Sequence, residues 1–282
     1  MNSKSLTVIL VLLVAGIVLA AGCTSSSSAG SQQTQVSATA AATPSVSQET
    51  LIVYGGAGLK GPLDELGQMF YDKYGVTVQY VYGGGGTLVS QMNLTHKGDV
   101  FMPGSTVEFG NAKAQGLVNS SKLVAYHVPV IVVQKGNPKN ITTLQDFADS
   151  GVKVALGDVN ATAIGKAAAK MFQKLNITAA VEKNVVTRTG TINELVVVMN
   201  TGQADAAVMT LDSVNATTMD SVSIPLSTNV ILITPIGATT FTTQPDLANQ
   251  FVDFVASDEG KAVFKKHGFP SYPDATYGNL TA

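Results

Sequence analysis

Short apolar runs alternate along the chain with longer segments whose apolar residues recur at three- and four-residue spacing. The first run, residues 51–54, precedes a helical pattern that Pro62 opens and Gly75 closes. The alternation continues with strands and helices predicted at 76–82, 87–94, 99–102 and 107–115. This order predicts a parallel sheet with helices on its faces, because parallel neighbours need a crossover between them.

A second set of the same kind follows a long apolar strand predicted at 128–134. Its strands are predicted at 152–156, 184–187, 206–209 and 222–225, and its helices at 163–175, 192–201 and 211–217. A long strand at 230–236 and helices at 245–256 and 258–267 complete the chain. We therefore predict two α/β lobes, one of residues 49–128 with 236–282 and the other of residues 129–235. Because open α/β sheets bind ligands beyond the carboxyl ends of their strands, the cleft between the lobes is the expected site.

Two glycine-rich loops give the strongest local indication of function. The first loop (residues 55–58) and the second loop (residues 83–86) each leave a predicted strand and enter a predicted helix. Glycine lets the backbone approach a ligand closely, and the N–H groups of a helix N-terminus favour an anion. One such loop would be read as a tight turn, but two after successive strands of one sheet predict a site for an anion or a polar ligand.

Residue patterns for catalysis are weak. Residues 56–61 match the glycine spacing of dinucleotide-binding loops, yet the next strand ends in residues 80–82, Tyr-Val-Tyr, with no acid to hold a ribose. The histidines His96, His127 and His267 have no second metal ligand at helical spacing, and no nucleophile-elbow sequence occurs. We therefore expect a binding protein that is not an enzyme and has no cofactor or metal. The formal net charge of −2 gives no support to a nucleic-acid partner.

The N-terminus has the parts of a lipoprotein signal. Lys4 precedes an apolar run at 6–21, and small residues lead up to Cys23, the one cysteine of the chain. We predict a signal peptide of residues 1–22, lipidation of Cys23 at the outer face of the cell membrane, and a disordered tether of residues 23–48. An uncleaved membrane anchor is the alternative, although 16 residues rise only about 24 Å as a helix, short of a full span.

Short motifs follow one another in order between residues 51 and 269. They are AGLK at 57–60, FYDKYGVT at 70–77, GTL at 86–88, GDVF at 98–101, VQKGNP at 133–138, GD at 157–158, TGQADA at 201–206, FVAS at 254–257 and KHGF at 266–269. In this order and spacing they resemble the molybdate- and tungstate-binding proteins of ABC importers. The resemblance implies the α/β, two-lobed periplasmic-binding-protein type II fold, in which each lobe is a mainly parallel sheet flanked by helices.

The resemblance also implies a function and a set of ligand contacts. The cleft would close on an oxyanion, molybdate or tungstate, and deliver it as a monomer to an ABC permease. The implied donors are the main-chain N–H groups of Ala57, Gly58, Gly85, Gly86, Ile164 and Ile192, with Thr87 and Thr210 as hydroxyl donors. Replacing Gly85 by valine is expected to weaken binding with little loss of folding.

This chain departs from the family at several of these positions. The family commonly offers serine hydroxyls from both loops, where this chain has Gly58 and Gly85, and a tyrosine hydroxyl where it has Thr210. An archaeal subgroup adds two carboxylates, and Thr162 and Met209 occupy those positions here. Another oxyanion such as sulfate, a metal species or other small ligand, a sensor role and a secreted enzyme therefore remain as alternatives.

Overall fold

The computed structural model of the protein describes residues 49–278. The predicted signal peptide, Cys23 and the tether lie outside the described residues. The strands are β1 (Thr50–Gly56), β2 (Thr77–Gly83), β3 (Val100–Met102), β4 (Lys122–His127), β5 (Pro129–Gln134), β6 (Val154–Gly157), β7 (Val185–Thr189), β8 (Ala206–Thr210), β9 (Met219–Ser223) and β10 (Leu232–Ala238). The α-helices are α1 (Lys60–Tyr74), α2 (Gly85–Thr95), α3 (Thr106–Ala114), α4 (Ala163–Lys174), α5 (Thr178–Glu182), α6 (Ile192–Asn200), α7 (Pro245–Ala256) and α8 (Asp258–Lys266).

The strands form two five-stranded sheets. The first has the order β2-β1-β3-β10-β4 and the second the order β7-β6-β8-β5-β9. In the first sheet β1 pairs in parallel with β2 and β3, as predicted, whereas β10 is antiparallel to both of its neighbours. In the second, β6 is parallel to β7 and β8, whereas β5 is antiparallel to β8 and β9. The predicted two-lobed α/β fold is confirmed, but its sheets are mixed rather than mainly parallel.

The chain passes directly from one sheet to the other, which explains the antiparallel pairs. It leaves the first sheet at the end of β4, turns at Val128 and enters the second sheet as β5. It returns between β9 and β10, and the whole of β10 lies in the first sheet. A strand that enters a sheet from the other lobe needs no helical crossover, so it is free to run antiparallel. The lobe boundaries at 129 and 235 stay a prediction. β10 belongs to the first sheet and begins at Leu232, three residues before the predicted second boundary.

Local signals place most helix ends correctly. Gly75 takes a left-handed conformation, with φ 72°, and its N–H donates to the Tyr71 carbonyl to end α1.

The helix predicted at 211–217 is wrong, because only a 3-10 turn forms there, Leu211–Ser213. The Ser213 hydroxyl donates to the Thr210 carbonyl at 2.6 Å, and the Asn215 side chain accepts from the Thr217 N–H at 3.1 Å. Such local side-chain bonds compete with a helix.

Each lobe has a hydrophobic core of its own. In the first lobe the ring of Phe70 on α1 meets that of Phe251 on α7 edge to face, with centroids 5.0 Å apart. In the second lobe Phe147 and Phe172 pack beside the buried strand β5. Two separate cores leave the facing ends of the strands, and the helices that follow them, to form the walls of the cleft.

Within residues 49–278 no helix combines the length and apolar character that crossing a membrane requires.

Candidate ligand-binding site

A small cavity lies between the lobes. Its volume, taken as the space that the centre of a water molecule can occupy, is about 40 Å³. One water needs roughly 10–15 Å³ on this measure, so the cavity suits a small ligand and is far too small for a nucleotide. Both lobes contribute to the wall, which is formed by Gly56, Ala57, Gly58, Leu59, Gly83, Gly84, Gly85, Gly104, His127, Thr162, Ala163, Ile164, Thr191, Ile192 and Thr210.

Helix N-termini converge on this cavity. The helices α2, α4 and α6 begin at Gly85, Ala163 and Ile192, and each starting residue lies in the cavity wall. Each helix follows a strand of a parallel pair, which brings the N-termini to the same side of their sheets. A helix N-terminus carries about half a positive charge. The helix ends therefore give the cavity wall positive partial charge, although none of its lining residues in the described part of the chain is Lys or Arg.

Threonine caps leave main-chain donors free for a ligand. The Thr162 hydroxyl accepts from the Gly165 N–H at 3.0 Å, and the Thr191 hydroxyl accepts from the Glu194 N–H at 3.2 Å. These caps satisfy the third N–H of α4 and of α6. The earlier N–H groups of a helix have no partner within that helix, so those near Ile164 and Ile192 are available to an anion.

The predicted site residues divide into two groups. The structure brings Ala57, Gly58, Gly85, Ile164, Ile192 and Thr210 together around the cavity, whereas Gly86 and Thr87 are not part of its wall. The Gly86 N–H instead donates to the Ala161 carbonyl of the other lobe at 3.0 Å. The Thr210 hydroxyl is fully buried and donates to the Asp212 carboxylate at 3.3 Å. The ligand-binding roles of these residues stay predictions.

The glycines of the second loop allow the lobes to approach each other. A Cβ atom on Gly84 would lie 2.5 Å from the carbonyl oxygens of Ala161 and Gly190. One on Gly86 would lie only 2.0 Å from the carbonyl oxygen of Asn160. Both distances are far below van der Waals contact, and the oxygens belong to the opposite lobe. The second loop is thus a contact surface between the lobes as well as part of the cavity wall.

Polar side chains also join the lobes. Lys166 of α4 forms an ion pair with Glu108 of α3, with Nζ and Oε1 2.6 Å apart. Glu108 is completely buried, and it also accepts a hydrogen bond from the Ser105 hydroxyl. Beside the cavity, the Asn193 side-chain amide donates to the Ala57 carbonyl at 3.0 Å. These contacts hold the cleft in a closed arrangement.

His127 is a cavity residue whose role was not predicted from the sequence, where it stood out only as a possible metal ligand without a partner. It is the last residue of β4, it is buried, and its ring lies against Phe269 with centroids 5.2 Å apart. Nδ1 lies 3.4 Å from the Gly104 carbonyl oxygen, and Nε2 lies 3.3 Å from Oδ1 of Asp212. Burial opposes the charged imidazolium, but the Asp212 carboxylate and the Gly104 carbonyl outweigh it, so the pKa of His127 is raised above its ordinary value.

The fold and the cavity together define a class of protein, one in which two α/β lobes close over a small ligand. Residues 51–270 match the family described as bacterial extracellular solute-binding protein. Because this match covers most of the chain, the chain belongs to that family.

Among residues 49–278 no cluster of three or more His, Cys, Asp or Glu side chains is arranged to hold a metal ion.

Known proteins with different ligands in their names are similar to this chain. A Haemophilus influenzae protein named only as a binding protein is 29% identical over 228 residues, which cover 80% of this chain and 92% of that protein. Molybdate-binding protein ModA of Mycobacterium bovis is 27% identical over 236 residues, covering 82% and 88%. The solved structure of the sulfate-binding protein SubI from Mycobacterium tuberculosis has a TM-score of 0.74 at 17% identity, covering 82% and 89%.

These similarities confirm the predicted resemblance to molybdate-binding proteins and the periplasmic-binding-protein type II fold. The likeness to SubI, at its low identity, concerns the fold alone. Proteins named for molybdate and for sulfate share this architecture, so the fold does not determine the ligand. The choice of ligand therefore depends on the cavity.

Proposed function

We propose that this protein captures a small oxyanion, molybdate or tungstate, outside the cytoplasm and delivers it to an ABC permease without chemical change. The observation that carries the proposal is the convergence of the α2, α4 and α6 N-termini on one cavity whose wall, among the described residues, has no Lys or Arg. An array of N–H donors on helix ends favours a compact ligand with negative charge spread over several oxygens.

Cavity size favours the same class of ligand. In the closed arrangement its volume of about 40 Å³ has room for a few oxygen atoms, which suits a small ligand. Donors fixed on rigid helices suit one anion radius best, so the protein should discriminate among oxyanions by size. Sulfate is the runner-up, because SubI has the same fold and is named for that anion. In either case the role is binding, as the family description says of its members.

Isothermal titration of the purified protein with molybdate, tungstate and sulfate tests the proposal. Saturable binding of molybdate or tungstate at one site, with weaker binding of sulfate, is the expected result. A preference for sulfate would favour the runner-up. No heat with any of the three anions, from protein whose folding has been verified, would reject the proposed ligand class. Turnover of a small substrate would favour the secreted enzyme instead.

The proposed location follows from the N-terminal sequence. Cleavage after residue 22 and lipidation of Cys23 would anchor the protein at the outer face of the cell membrane, and residues 23–48 would serve as a tether. Family membership supports the extracellular part of this proposal. A monomer is the expected form, because each molecule carries both lobes and therefore a whole cleft.

A further inference from the structure

His127 differs from every other group in the cavity wall because it can carry a full positive charge. The residue is about 5% exposed, and it lies where β4 ends and the chain leaves the first lobe. A Cβ atom on Gly58 would lie 3.4 Å from Cε1 and 3.6 Å from Nε2 of the ring. The Cε1–Nε2 edge of the imidazole therefore faces the first loop, whose N–H groups are proposed to hold the ligand.

The Nε2 atom has no hydrogen bond. Asp212 lies 3.3 Å away, close enough for an ion pair, but within residues 49–278 no acceptor meets the geometry of a hydrogen bond to Nε2. A buried donor without a hydrogen bond is costly and calls for an explanation. An anion oxygen in the adjacent cavity would provide the missing acceptor.

Both ring nitrogens face acceptors. Nδ1 faces the Gly104 carbonyl and Nε2 faces the Asp212 carboxylate. Acceptors beside both nitrogens favour a ring that carries a proton on each, which is the charged imidazolium form. The raised pKa of His127 points in the same direction. The ring also packs against the neutral ring of Phe269.

We propose that His127 is a charged donor of the anion site and gives its Nε2–H to an oxygen of the bound oxyanion. This inference rests on the proposed function and adds a specificity-determining residue to it. Asp212 keeps the imidazole protonated and balances its charge in the absence of an anion. Charge-assisted hydrogen bonds are stronger than neutral ones, so His127 offsets the serine and tyrosine hydroxyls that this chain lacks at Gly58, Gly85 and Thr210.

The consequence is affinity that depends on pH. The anion binds the imidazolium form better, so affinity is highest below the raised pKa of His127 and falls as pH rises through it. Each pH unit above that pKa should weaken binding up to about tenfold, because one proton is taken up with each anion. Molybdate itself stays a dianion from weakly acidic to alkaline pH, so a change of affinity over this range would come from a group of the protein.

Molybdate titrations of three variants across this pH range test the proposal. His127→Gln keeps a neutral amide donor but has no proton to lose, so its binding should be weaker and independent of pH. Asp212→Asn should keep the pH dependence but shift it to lower pH, because the carboxylate no longer favours the charged ring. His267→Gln is the matched control, since His267 bonds to Glu65 outside the cavity, and it should behave like the wild type.

The outcomes separate this inference from the proposed function. Equal, pH-independent molybdate affinity in wild type and His127→Gln would overturn the role of His127 and leave oxyanion binding intact. Identical losses of molybdate affinity in Asp212→Asn and His127→Gln would show that the two side chains only bridge the lobes. That result would also overturn the role of His127 as a donor. Failure of all proteins to bind molybdate, tungstate or sulfate would instead reject the proposed function.

Histidine ¹⁵N NMR of the wild-type protein provides a readout that no substitution disturbs. Saturating molybdate should move the His127 titration midpoint to higher pH, since the anion stabilises the imidazolium. An unchanged midpoint under proven saturation would contradict direct donation.

Discussion

Replacing Gly86 by alanine should separate ligand binding from folding. The new Cβ atom would lie 2.0 Å from the Asn160 carbonyl oxygen in the closed cleft, but that oxygen belongs to the other lobe. Opening the cleft removes the overlap, whereas ligand binding restores it. The substitution should therefore penalise the closed form alone, and alanine in α2 should favour the helix itself.

The magnitude follows from two contributions. The overlap displaces the hydrogen bond from the Gly86 N–H to the Ala161 carbonyl, which is 3.0 Å long and worth about 1 kcal/mol. Forcing a methyl group into a closely packed contact costs about 1–3 kcal/mol more. The sum of about 2–4 kcal/mol corresponds to an affinity loss of roughly 30-fold to roughly 700-fold, at 1.4 kcal/mol for each factor of ten.

Calorimetric titration with molybdate measures the loss, and thermal unfolding without ligand checks the fold. Gly110→Ala is the matched control, because Gly110 lies in α3 and a Cβ atom there meets no atom within 4 Å. The control should bind like the wild type and should be no less stable. Wild-type affinity in Gly86→Ala would refute the reasoning that binding requires the lobe contact seen here. An equal loss of thermal stability without ligand would show that the second loop serves folding rather than closure.

Three further predictions concern closure and location. Lys166→Met should leave the buried Glu108 carboxylate without its cation, so molybdate affinity measured by calorimetry should fall at least tenfold. Lys170→Met, on the same helix, is the control. Equal affinities of the two variants would contradict a role for the ion pair in closure. Saturating molybdate should reduce the radius of gyration in small-angle scattering and raise the free energy of unfolding by about 2.7 kcal/mol at a hundred times Kd, whereas identical scattering curves would indicate a rigid binder. Cys23→Ala should release the protein from the membrane fraction, as followed by immunoblotting, and full retention would favour an uncleaved anchor.

The fold was largely predictable because its signals are local. Apolar periodicity located both sets of strands and helices, and residues such as Gly75 and Pro245 marked helix ends through their own backbone preferences. β4 was missed for a different reason. Residues 123–133 form an almost continuous apolar stretch, and nothing in their pattern shows that the chain leaves one sheet at His127 and enters another at Pro129. Sheet membership depends on distant partners.

The site was less predictable because its chemistry joins residues far apart in the chain. His127 and Asp212 are separated by more than eighty residues, and neither lies in a pattern that indicates an anion site. Glu108 and Lys166 likewise meet only because α3 and α4 face each other across the cleft. The donors near Ile164 and Ile192 were predicted from the family resemblance instead, because only the folded chain brings these two helix N-termini to one cavity.

The glycine loops show how one pattern can serve two purposes. The sequence predicts that Gly85 provides space for a ligand, so that Gly85→Val should spare folding. In the structure a Cβ atom at Gly85 would lie 2.5 Å from Cγ of Glu108, a buried side chain of the same lobe that is held by Ser105 and Lys166. Valine there would strain the lobe even when the cleft is open, so folding as well as binding should suffer. Gly86 overlaps only with the opposite lobe, and for that reason it is a position at which closure can be perturbed separately from folding.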